Sequence, residues 1–439
     1  MNAPRMPKAL PMAGGPVTAP PFALPAIHFA ATLVWLVVAT AMLVVLAPRL
    51  AEGRTFDPPV FALVHVLMLG VVGSAIFGTL QQFVPGGLGV PLRSVRLGYW
   101  GFGLLQVGIV LLVGGFWWWR GTAQGLGWLF IFAAVGAVSR NVLRARRHSV
   151  NGKLVGLYIT VAHSALGAGM AIAFARLGET LGWWQVDRMA LLSAHALFGA
   201  VGFGTLSAIG VGSRMLPTFL MGPGDDTRWL HWHLGLTTTG LVVYGASAVL
   251  ASGIGMRLGS VLLLAGGVLA VALAVRWFRR KRRPLDAALQ HVASSFLALG
   301  AAVLVAGWLL VGNAYAFNQW AALLVALVVG WLTTLVVGVM AKILPHLAYN
   351  NLARSLPGFS ALGSPNRLLR EDWQHASVLL LGAGWMALVG SLMAAAPRLA
   401  LVAALVWSVG VAVVVANHVR MVVLGRTPQP NPTMVAGAS

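Results

Sequence analysis

Three segments of the chain share one skeleton: a glycine, seven residues, a second glycine, six residues and a proline, each on a long apolar run. They are Gly70, Gly78 and Pro85; Gly202, Gly210 and Pro217; and Gly330, Gly338 and Pro345. The last two copies also match in Thr205 with Thr333, Val211 with Val339, Arg214 with Lys342 and Leu216 with Leu344, at a constant offset of 128. Self-similarity at a fixed period marks a chain built from repeated units. Apolar runs long enough to cross a bilayer fall near 26–47, 59–84, 97–118, 124–144, 152–176, 189–213, 229–251, 256–277, 285–311, 319–344, 373–394 and 399–422. The expected fold is therefore all-α and integral to the membrane, with twelve transmembrane helices in three pseudo-repeated units of four. An even number of crossings gives the copies one orientation, so the axis relating them runs along the membrane normal. The units are expected at 26–148, 149–283 and 284–425, between a disordered tail at 1–25 and a second tail at 426–439.

Composition supports this reading, because 59% hydrophobic and 9% charged residues over 439 positions leave too little polar surface for a soluble protein. Without cysteine there is no disulfide framework or thiolate site, and a metal would have to be held by His, Met or oxygen ligands. The net charge of +21 calls for no nucleic acid. With both termini in the cytoplasm, 23 of the 30 Lys and Arg residues fall inside, including the run Arg279 to Arg283, as the positive-inside rule requires. A basic inner face also attracts anionic lipid. The tryptophan clusters at 117–119 and 183–184 then fall at the outer headgroup level. The Pro-rich start lacks the continuous apolar stretch of a signal peptide. The longest loop, His346 to Asp372, is expected on the cytoplasmic side, as a connector or a docking segment.

The glycines need no function: small residues let neighbouring helices approach closely, and each proline is expected to end its helix. All nine acidic residues lie in loops or at helix ends, whereas ion-coupled transporters commonly keep a carboxylate within the bilayer. Histidines do enter the membrane. His65 in helix 2 and His195 in helix 6 lie at similar depths in the outer half. His163 in helix 5 and His291 in helix 9 are separated by the repeat offset of 128, and His28 lies on the corresponding helix of the first unit. An imidazole in hydrocarbon needs a partner, which can be a backbone carbonyl, a hydroxyl, or iron or copper. His233, His375 and His418 lie nearer the inner ends, where hydration suffices, and His148 lies in a basic loop.

His65, Gly70, Gly78, Gln81, Gln82 and Pro85 resemble helix 2 of the catalytic subunit of haem-copper oxidases and nitric oxide reductases. In that superfamily an outer-half histidine of this helix binds a haem, and twelve helices form three arcs of four. The resemblance implies that His65 is an axial ligand of haem b and that His195, on the helix that supplies a copper ligand, is a metal ligand. Helix 6, with His195, Gly202, Thr205 and Arg214, is also similar to the NnrS group of haem- and copper-containing membrane proteins. The chain differs from the superfamily in carrying no histidine on helix 10 before His346, and in having Gly199 four residues after His195. The resemblance implies a divergent relative: a bacterial inner-membrane protein binding haem b through His65, with copper as a further cofactor; His195, and His163 and His291 through their repeat spacing, are the candidates for the remaining cofactor ligands. It would act in electron transfer or in nitric oxide or oxygen chemistry or response. Lacking Cys-X-X-Cys-His, it would take electrons from a cytochrome or quinol donor. The competing expectation is a metal-free permease or assembly factor that keeps the fold.

Overall fold

The computed structural model describes residues 20–144, 152–224, 226–312, 316–355 and 365–424. The sequence-based expectations for the first 19 residues, for His148 and for the loop at 356–364 fall outside that range. Long helices account for nearly all of the described chain, and no strand occurs among the described residues. They are α1 (Ala23–Ala51), α2 (Pro58–Leu88), α3 (Val95–Trp117), α4 (Gly121–Val142), α5 (Lys153–Thr180) and α6 (Arg188–Phe219). There follow α7 (Thr227–Val249), α8 (Gly253–Arg279), α9 (Ala287–Val311), α10 (317–355), α11 (Glu371–Met393) and α12 (Pro397–Leu424). Eleven of these are long and apolar enough to cross a membrane; α7, which carries Arg228, His231, His233 and a run of threonines from Thr237 to Thr239, is the exception. The outward surface is itself apolar, with Val34, Leu258, Leu304 and Leu379 each more than half exposed, which only lipid tolerates on this scale. This is an all-α, multi-pass membrane protein.

Helices α2, α6 and α10 form the centre. Between 56% and 72% of their apolar stretches is buried, against at most 50% in any other span. Each contains a π-helical segment, at Val66–Gly73, Phe198–Thr205 and Val325–Thr333, and the three segments touch one another. The remaining helices surround them, and α1 packs on α12.

The π segments explain the glycine spacing. In a regular α-helix, positions eight apart diverge by about 80°, but a π turn absorbs one extra residue. Both glycines of each pair therefore face the same neighbouring helix. A Cβ on Gly70, Gly202 or Gly330 would lie less than 3.0 Å from Trp35, Ala165 or Ala298. One on Gly78, Gly210 or Gly338 would come equally close to His28, Tyr158 or His291. On α1, α5 and α9 the two facing positions are seven residues apart in every case, two turns of an α-helix. The offset of 128 thus holds between α6 and α10 but not between α5 and α9, where the facing residues are offset by 133. Tyr158, and not His163, takes the place of His28 and His291.

A second threefold pattern appears in the hairpins α3–α4, α7–α8 and α11–α12. A Cβ on Gly108, Gly240 or Gly384 would lie less than 3.0 Å from the backbone nitrogen of Ile131, Leu263 or Trp407, 23 residues on in each case. Each hairpin turns through three residues, and the middle one, Trp119, Ala251 or Ala395, is left-handed, with φ between 50° and 53°. At the opposite, basic end, Asn141 bonds both backbone groups of Ser94, and Asn417 those of Arg370. Asp226 ties the α7–α8 pair by accepting from Trp277 at 2.9 Å and from Arg276.

Two sequence-based expectations are corrected. Pro85, Pro217 and Pro345 lie inside their helices, which run on to Leu88, Phe219 and Ser355; at Pro85 and Pro217 the missing N–H falls in the last turn, whereas the helix continues well beyond Pro345. The loop expected to begin at His346 is helical to Ser355, with His346 Nδ1 donating to Lys342 O at 2.8 Å, and Pro365–Leu368 forms a 3₁₀ turn.

Candidate functional site: a histidine pair between the central helices

His65 ends the α-helical part of α2, immediately before its π segment, and His195 stands three residues before the π segment of α6. The central packing brings the two rings together. Their centroids are 5.9 Å apart and their planes are inclined by 23°. Phe116 of α3 stacks on His65 with centroids 4.8 Å apart, giving the pair an apolar wall.

Each Nδ1 faces a backbone carbonyl, His65 that of Phe61 at 2.7 Å and His195 that of Gly169 on α5 at 2.9 Å. A carbonyl can only accept, so Nδ1 carries the proton on both rings and each Nε2 keeps its lone pair. This is the tautomer of a metal-ligating imidazole held by an outer partner. The His65 bond, four residues back along its own helix, is one that His163, His231, His346 and His418 also make. The His195 bond crosses to another helix and fixes the ring relative to α5. Beyond the pair, Glu179 joins Arg176 at 2.6 Å and Arg188 at 2.5 Å across the ends of α5 and α6.

The other histidines lie elsewhere. His163 is wedged between Phe77 and Phe203, at 6.2 and 6.0 Å between ring centroids, and its buried Nε2 has no partner. Ser377 Oγ donates to Gln374 O at 2.7 Å, so His291 Nε2 donates to Ser377 Oγ at 2.9 Å and leaves Nδ1 bare. His28 Nε2 accepts from Gln81 at 3.1 Å, and His233 Nδ1 donates to Tyr158 Oη at 2.9 Å, since the phenol proton goes to Leu230 O. Of the four histidines singled out from the sequence, the fold joins His65 with His195 and keeps His163 and His291 apart from each other and from that pair. Phe116 and the Gly169 carbonyl were not legible as supports in the sequence, because both depend on how α3 and α5 pack.

Two imidazoles with free Nε2 atoms suit a metal ion shared between them or an axial pair. Among the described residues, no group of three or more His, Asp or Glu could hold a metal ion, so a closed site built from four protein ligands does not fit. No family model matches the chain, and no curated protein matches it significantly.

Proposed function

We propose that this protein is a divergent relative of haem-copper oxidase subunit I, lying in the inner membrane of a bacterium with both termini in the cytoplasm. In this reading His65 and His195 hold a transition metal, as haem b iron or as copper, in the outer half of the membrane. The protein then works in electron transfer or in nitric oxide or oxygen chemistry. The observation that carries the reading is the meeting of the two rings with both Nδ1 protons spent on carbonyls.

The Phe61 and Gly169 carbonyls fix which nitrogen is the ligand, and Phe116 keeps water from one side of His65. Iron or copper bound there would supply one-electron redox chemistry. Electrons come from a separate cytochrome or quinol donor. Three four-helix units and twelve crossings belong to the same proposal; the three-way glycine contacts and the three matching hairpins support them, as α7 repeats the place of α3 and α11.

The test is spectroscopic. Protein purified in mild detergent from haem-sufficient cells is expected to show a reduced b-type band or bound copper, lost in His65→Ala and in His195→Ala but kept in His163→Ala. A featureless spectrum with no bound metal in the folded wild type would sink the reading. It would favour the second one, a metal-free permease or assembly factor, for which the supporting observation is an apolar cavity among the central helices.

A further inference from the structure

A cavity of about 100 Å³ lies between α2, α6 and α10, on the basic side of the π segments. Its wall is almost wholly apolar, running from Val72 and Leu332 to Val336 and, at the basic end, Lys342. The ammonium of Lys342 is engaged by Asp286 at the start of α9. That charge is already matched, so the cavity does not call for an ionic ligand.

Two features of α6 shape the space. A Cβ on Gly212 would meet no atom within 4 Å, so this glycine answers no packing need, and the missing side chain is what keeps the wall open. Ser207, a lining residue, is only 2% exposed, and its Oγ has no hydrogen-bond partner. A buried hydroxyl left unpaired is costly. Apart from Ser207 the wall carries only the hydroxyl of Thr79 and the Asp286-bound ammonium of Lys342, so a mostly apolar molecule with one polar atom suits it better than a cluster of water. Apolar cavities of roughly 150 Å³ stay dry and take up benzene or xenon.

We propose that this cavity is a binding site for a small uncharged molecule, smaller than benzene, with an apolar body and one oxygen or nitrogen atom that accepts the hydrogen bond of Ser207. The site does not depend on a metal at the histidine pair, lying on the other side of the π segments.

The probe is 2-bromoethanol, soaked into crystals of the full chain and located by the anomalous signal of bromine. A peak is expected between α6 and α10. Gly212→Leu fills the space and removes the peak, while Gly212→Ala serves as the folding control. Ser207→Ala keeps the cavity but weakens occupancy, by about fivefold in apparent affinity, the worth of one net hydrogen bond. A peak that persists in Gly212→Leu, equal affinity in Ser207→Ala, or no peak in the wild type would each overturn the proposal. The thermal midpoint of Gly212→Leu, at or above the wild-type value, shows that loss of the peak is not loss of the fold.

Discussion

Ala395 turns its hairpin with φ at 50°, a left-handed conformation in which a Cβ crowds the backbone. Ala251 and Trp119 do the same in the other two hairpins. Glycine would relieve the strain, so Ala395→Gly is expected to stabilise by about 1 kcal/mol, less the entropy glycine adds to the unfolded chain. The check is the apparent unfolding midpoint in detergent. The opposite sign is expected at Gly210. There even a Cβ would collide with Tyr158, whose hydroxyl also holds Leu230 and His233, so Gly210→Val should destabilise by about 1–3 kcal/mol. The glycine skeleton was visible in the sequence because each copy sits within one helix. Facing residues such as Trp35 and Ala165 were not, because spacing within one helix says nothing of the partner's register.

At the scale of the helix, the π segments matter most. The sequence showed glycines eight apart but gave no sign of the wide turn that brings both to one neighbour. The expected halves of α2 and α6 were therefore rotated against each other by about one residue's worth, 100°. The same turn sets the direction of His195. Deleting Ala200 should restore a regular helix and swing His195 away from His65 while the basic half of α6 stays in place. The expected result is a folded protein whose metal signal is lost as fully as in His195→Ala. A retained signal would show that the π turn does not aim the ligand. The pairing of His163 with His291 failed for a related reason: the connections differ in length, so one offset cannot serve every helix. Helix positions were legible from hydropathy alone, and each of the twelve expected runs coincides with a helix, with boundaries displaced by a few residues except at the end of α10.

For the whole molecule the open number is the count of crossings, since hydropathy supports eleven and the hairpin pattern twelve. An even count places both ends of the chain on one side. Reporter fusions at the two termini should therefore both read cytoplasmic; opposite readings would require α7 to lie outside the bilayer. The packing of α1 on α12 closes the ring of helices but gives no direction. The contact of Gly240 with Leu263 bears on how α7 could enter lipid at all. Alone, its threonines and histidines would keep it in water; against α8, which is apolar enough to cross a membrane, its backbone is covered along one side from the start. On the twelve-crossing reading the two helices partition as a single body during synthesis. Separating them in time, with a long hydrophilic spacer in place of Leu250 to Ser252, would strand α7 on the surface where the ribosome left it.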